Sequence, residues 1–195
     1  MARRTKVGNQ VIEAWKRTVV NEYCNGHINS ERSLQALLFS NLRAVFAEDE
    51  TERRIFVEPT VQLPGAGVIG PDIVICNSRE AICFLELKFA PRAKADTKKD
   101  MRSISSVARS EGISILLKRY RGPDLPSMKF AVSKTVLFAW AGIHAGSTEP
   151  SKEWTDPAFQ GHFHLELHAT TNDGQAPGER YNTNALHVEN SPIEA

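Results

Sequence analysis

The chain has 195 residues, a formal net charge of +1, 41% hydrophobic residues and 24% charged residues. These values fit one globular domain with a full-sized core. They exclude a uniformly basic nucleic-acid coating protein, so any phosphate-binding surface must be local. No apolar run approaches bilayer length, so no membrane span is expected. The basic residues 1–8 precede no apolar stretch of the kind a secretory signal needs. Cys24, Cys76 and Cys83 are odd in number and form no CxxC pair, which excludes a disulfide framework and a zinc knuckle. A reducing compartment, the cytoplasm, is expected.

In chain order, Val7, Val11, Trp15 and Val19 recur every four residues, which predicts a helix over 7–20. Asn29 or Ser30 caps a second helix that starts near Glu31 and carries Leu34, Leu38, Leu42 and Val45 on one stripe. An acidic run and the Arg53–Arg54 pair follow as a solvated connector. Residues 55–63, broken by Pro59, read as an edge strand or bend. Residues 64–70 read as a glycine-rich turn. Strands are expected over 72–76 (DIVIC) and 81–89 (AICFLELKF), the second apolar enough to be covered on both faces. Asp96 caps a further helix with Met101, Ile104, Val107 and Ala108 inward, ending near Gly112. Residues 113–120 fit a strand or a helix equally. Residues 134–141 (KTVLFAWA) read as another buried strand, and 162–168 as a half-exposed one. The domain is expected to span 1–169, with a loosely structured tail over 170–195. The pattern makes a mixed α/β fold with helices packed on a sheet.

Glu86 and Lys88 stand two apart in the most apolar strand and therefore share a face. A charge placed there needs a partner or a metal. Asp72 opens the preceding strand, and a hairpin through 77–80 brings it to the same end of the sheet as Glu86. Two such carboxylates repel, and a divalent cation with oxygen ligands and open water positions resolves the repulsion. The carbonyl of Leu87 could add a further oxygen. Helix phase turns Glu31 toward the inward stripe, with Gln35 on the same side. Asp96 and Asp100 lie close enough in sequence to the motif for either to approach the metal, although a capping role suits Asp96 better.

Pro71–Asp72 followed by Glu86–Leu87–Lys88 resembles the motif of the PD-(D/E)xK nuclease superfamily, and the surrounding helix and strand order resembles its αβββαβ core. The resemblance spans about residues 30–141. It implies a restriction-endonuclease-like fold with a mixed central sheet flanked by helices. It further implies that Asp72 and Glu86 bind Mg²⁺ or Mn²⁺, that Lys88 serves the attacking water or the phosphate, and that Glu31 is an auxiliary ligand. The reaction implied is hydrolysis of phosphodiester bonds, of DNA in preference to RNA. The competing reading is a non-catalytic nucleic-acid-binding or interaction domain on the same scaffold, with Glu86 simply paired to Lys88.

Lys94, Lys98, Lys99, Arg102 and Arg109 follow the motif and could hold phosphates on either side of a scissile bond. A homodimer is expected if both strands of a duplex are cut, since each chain has one site. His162, His164 and His168 alternate with Leu residues and form the rival constellation, a transition-metal site. Trp15 and Trp140 lie on apolar stripes and belong to the core, whereas Trp154 is the exposed stacking candidate.

Overall fold

The structure is a computed structural model that describes residues 6–65, 67–116, 128–145, 152–171 and 183–189. Helix α1 (Lys6–Arg17) buries Val7, Val11, Ile12, Ala14 and Trp15, the four-residue repeat seen in the sequence. It continues as a π-helical stretch, Thr18–Tyr23, and ends at Gly26, whose φ of +76° suits glycine. Helix α2 (Glu31–Glu48) begins at Ser30, where the Ser30 and Ser33 side chains cap each other's backbone N–H groups. Its buried stripe is Leu34, Leu38, Leu42, Val45 and Phe46. A bidentate Arg17–Glu48 pair, with contacts of 2.6 and 2.7 Å, ties the two helices together at the surface.

Strands β1 (Arg54–Val57), β2 (Thr60–Leu63), β3 (Gly67–Ile69), β4 (Ile73–Cys76), β5 (Glu80–Ala90), β6 (Gly112–Leu116), β7 (Met128–His144), β8 (Phe163–Thr170) and β9 (Thr183–Glu189) form a single mixed sheet. Helix α3 (Lys98–Ala108) connects β5 to the second half of the sheet. β1, β4 and β5 form an antiparallel run, and β7 lies parallel to β5. The order α2, β1, β4, β5, α3, β7 is the expected αβββαβ core, with β2, β3 and β6 inserted as an antiparallel extension.

The sheet separates two apolar layers. Cys83, Leu85 and Leu87 of β5 face α1 and α2, together with Leu38, Leu42 and Trp15. Phe84 faces the other way, toward α3, Phe138, Trp140, Trp154 and Phe159. Glu86 and Lys88 keep the phase of Phe84 and so point to the α3 side. No described helix is long and apolar enough to cross a membrane.

Several elements depart from the sequence reading. The glycine-rich turn contains β3, because Gly65 (φ +70°) closes a tight hairpin that lets Gly67–Ile69 pair with β2. Pro59 separates two strands with different partners and does not merely bend one. Arg54 is exposed but opens β1, and Arg53 is half-buried, so the solvated connector ends before this pair. Residues 112–116 are strand, while 117–120 fall outside the described residues. β7 is twice the expected length because its first part pairs with β6 and its second part with β8. β8 is buried on both faces, not half-exposed, because residues 152–159 fold over its His164 side. Within the segment read as a loose tail, 183–189 pair with β8 along its otherwise open edge.

Candidate active site

The site begins where β4 ends. The β4–β5 ladder runs back to the Ile73–Leu85 pair and stops. Beyond that point β5 continues alone on this edge, so its N–H and C=O groups need other partners. The Asp72 carboxylate supplies one, accepting the Leu87 N–H through Oδ2 at 2.6 Å. Glu31 supplies the next, accepting the Phe89 N–H at 3.1 Å. Along an extended strand the Leu87 carbonyl points to the same edge as the Leu87 and Phe89 N–H groups and lies between them. A backbone oxygen therefore sits between two carboxylates.

Glu86 is 5% exposed and Asp72 is partly buried. Burial and the nearby Asp72 and Asp100 carboxylates push the Glu86 pKa up to about 9. Asp72 is also raised, chiefly by burial, against the lowering effect of its bond from Leu87 N–H. Glu86 therefore keeps its proton at neutral pH and shares a hydrogen bond with Asp72. The Asp72 backbone is itself held, its carbonyl accepting from Gln35 Nε2 at 3.2 Å and from Glu58 N at 2.8 Å.

Lys88 does not pair with Glu86. Its ammonium lies 4.0 Å from Glu31 and acts on Asp100, lowering that carboxyl against the larger, opposite effect of burial. Two acids thus face the Lys88 charge, while no described cation pairs with Glu86. Glu31 differs from expectation in exposure. Its side chain is 47% exposed at the rim and reaches the edge of β5 instead of lying within the core stripe. The helix phase was right, but Glu31 is the first residue of α2 and projects past the sheet.

Asp100 is the site residue the sequence reading left undecided. It lies in the first turn of α3, beside the buried Met101, and its Oδ2 accepts from Trp140 Nε1 at 3.4 Å. Asp96 instead takes the Lys98 N–H at 3.2 Å from one residue before the N-cap, which is Thr97 and not Asp96 as expected. Nothing in the spacing alone separates these two acids. The difference comes from Trp140, whose indole extends across the sheet to reach only one of them.

Trp140 explains Gly142. In the sheet, Lys88, Gly142 and His168 lie in one row, and Glu86, Trp140 and Glu166 in the next. The Trp140 ring lies over Gly142, and a Cβ there would stand 2.2 Å from its Cη2 atom. The same ring packs on His168 at 5.3 Å and His144 at 5.8 Å between centroids. Gly142→Ala is expected to lower stability by about 1–3 kcal/mol through overpacking, and to displace the indole from Asp100. Thermal melting and tryptophan fluorescence would register both effects, and an unchanged melt would contradict the contact.

Of the rival histidines, His164 and His168 share the α3-side face with Glu166, and all three are buried. His162 precedes the strand and packs edge-on against Phe138. His168 bonds His144 at 3.0 Å, a partner the sequence pattern did not suggest because it lies on another strand. Burial and His168 lower His144 to a pKa of about 4, so that ring is neutral at pH 7. Trp154 is buried, not exposed. It stacks on His164 and donates to Glu166 Oε1 at 2.6 Å. His144, His168, Glu166 and Trp154 therefore form a hydrogen-bonded chain in the interior.

Among the described residues, no three His, Cys, Asp or Glu side chains form a ready-made cage for an ion. The donor set at β5 is two carboxylates and one carbonyl. It suits a hard cation that keeps several waters. Lys94, Lys98, Lys99 and Arg102 are all exposed. Lys99 acts on Asp100, whereas Lys98 and Arg102 line a separate cavity with Arg109, and Arg109 is engaged by Asp156 at 3.1 Å.

No known protein family matches the chain, and no curated protein matches it. Two solved structures are similar in overall shape. One is NucC of P. aeruginosa ATCC27853 in its cAAA-bound form, with 10% identity, a TM-score of 0.46, and coverage of 95% of this chain and 85% of that one. The other is NucC of E. coli MS115-1, also cAAA-bound, with 10% identity, a TM-score of 0.48, and coverage of 98% and 86%. A likeness at this level carries no argument about activity, so the reading of the site rests on its own geometry.

Proposed function

We propose that the chain is a metal-dependent nuclease of the PD-(D/E)xK kind, with DNA as its substrate. One observation carries the reading. Asp72, Glu86 and the Leu87 carbonyl meet at the edge where β4 stops, and no described cation pairs with Glu86. Asp72, Glu86 and the Leu87 carbonyl would hold Mg²⁺ or Mn²⁺, with Glu31 as an auxiliary ligand. A bound ion of this type polarises a phosphate oxygen and acidifies a coordinated water.

The remaining roles belong to the chain's own groups. The Lys88 ammonium, on the Glu86 face of β5, would stabilise the charge that builds on the scissile phosphate. Asp100, fixed by Trp140, would hold Lys88 toward the phosphate. Lys94, Lys98, Lys99 and Arg102 on the exposed side would bind flanking phosphates. Pairing of Glu86 with Lys88 would have supported the non-catalytic alternative, and the Lys88 position beside Glu31 and Asp100 does not supply it.

Incubation of the protein with plasmid DNA, single-stranded DNA and RNA under Mg²⁺, Mn²⁺ or EDTA tests the proposal. Cleavage of DNA with either ion, abolished by EDTA, is the expected result. No metal-dependent cleavage of any of the three would overturn it.

A further inference from the structure

We propose a second binding site, for a phosphate group carried on a nucleotide or a nucleic-acid strand, in the cavity beside the C-terminal half of α2. The cavity holds about 600 Å³, within the range of small-ligand sites. Phe39, Arg43 and Phe46 of α2 line it, with Arg53 and Ile55 at the start of β1 and Asn77 in the β4–β5 turn. Asp72 precedes β4 and Asn77 follows it, so the two sites lie at opposite ends of that strand, about 16 Å apart.

Arg53 is the reason to expect an anion. Its Nε is buried and has no hydrogen-bond partner among the described residues. Its one bond runs from Nη1 to the Glu52 carbonyl at 3.3 Å. Other arginines here meet carboxylates, Arg17 on Glu48 and Arg109 on Asp156, but no described carboxylate pairs with Arg53. Partly burying a guanidinium without a described counter-charge is costly, and this burial lowers the Arg53 pKa. An incoming anion offsets that cost, and the planar fork matches a phosphate.

The rest of the cavity agrees with this ligand. Arg43 holds its guanidinium 5.9 Å above the Phe39 ring, in cation–π contact at the rim. Phe39 and Phe46 provide an apolar floor on which a base could lie. Arg54 is also in the lining, where it bonds Met128 Sδ at 3.5 Å. Glu52 is the acidic residue of the lining, and it is exposed. Three guanidiniums against one solvated carboxylate leave the cavity positive.

Binding to the full chain in EDTA tests this site apart from catalysis. The probes are inorganic phosphate, AMP, adenosine and a 5′-phosphorylated single-stranded DNA 12-mer, measured by calorimetry. At least one phosphate-bearing probe should bind, and adenosine should bind more weakly than AMP. Arg53→Gln and Arg43→Gln should each weaken binding by about tenfold or more, the loss expected for a charged hydrogen bond. Glu86→Gln should bind as the parent does, so a failed nuclease assignment leaves this result standing. Tighter binding of AMP identifies a free nucleotide as the source, and tighter binding of the 12-mer identifies a strand. Should Arg53→Gln fail to fold, the exposed Arg43 decides the matter. The proposal is overturned if no phosphate-bearing probe binds, if both variants bind like the parent, or if adenosine binds as tightly as AMP.

Discussion

Glu86→Gln should reduce metal-dependent DNA cleavage by about a thousandfold or more while leaving the metal-free fold at least as stable as the parent at pH 7. The activity loss follows from removing one of two anionic metal ligands. The stability result follows from its protonation. The folded protein keeps the Glu86 proton up to a pKa of about 9, against an ordinary value of 4.5. Between these values the native state binds more protons than the unfolded chain, so stability falls as pH rises through the window. Asp72 is shifted in the same direction and adds to the slope. The metal-free parent should therefore melt at progressively lower temperature from about pH 5 to pH 9, and Glu86→Gln should show a shallower decline. Manganese binding at pH 7 should release a proton, which calorimetry in buffers of different ionisation enthalpy would detect. A parent protein that gains stability over this pH range would refute the assignment of a proton to Glu86.

Lys88→Met should lower cleavage by about 10²–10³-fold, with little change in metal affinity. Lys88 is 32% exposed and its contact with Glu31 is 4.0 Å, so the loss of that pair should cost little stability. Methionine retains most of the apolar stem that packs along β5. Single-turnover cleavage would isolate the chemical step from product release. If Lys88→Met cleaves at the parent rate, the ammonium has no part in the reaction.

The Asp72–Glu86–Lys88 trio was legible because alternation in β5 puts positions 86 and 88 on one face, and because a short turn fixes β4 against β5. Glu31 was legible in direction through helix phase but not in exposure, which depends on where α2 starts relative to the sheet edge. Asp100 could not be separated from Asp96 without Trp140, and Trp140 itself looked like ordinary core. Its indole reaches Asp100 only because Gly142 leaves room above the sheet.

The less legible parts of the fold depend on pairing partners distant in sequence. β7 was read as a short strand over 134–141, where its apolar residues run together, yet it spans Met128–His144 and supports β6 and β8 in turn. The alternating histidines of β8 suggested a wet face. The reversal came from Trp154, which a local reading placed in a polar loop and which the fold lays against His164. Arg53 was likewise read as solvated from its charged neighbours. Its burial depends on the contact between β1 and α2, which no local pattern records.

The most direct measurement of the central claim is anomalous scattering from crystals soaked in Mn²⁺. The account predicts a peak coordinated by the Asp72 and Glu86 carboxylates and the Leu87 carbonyl. A Mn²⁺ peak elsewhere with none at this edge, or a soaked crystal with no bound ion, would contradict it.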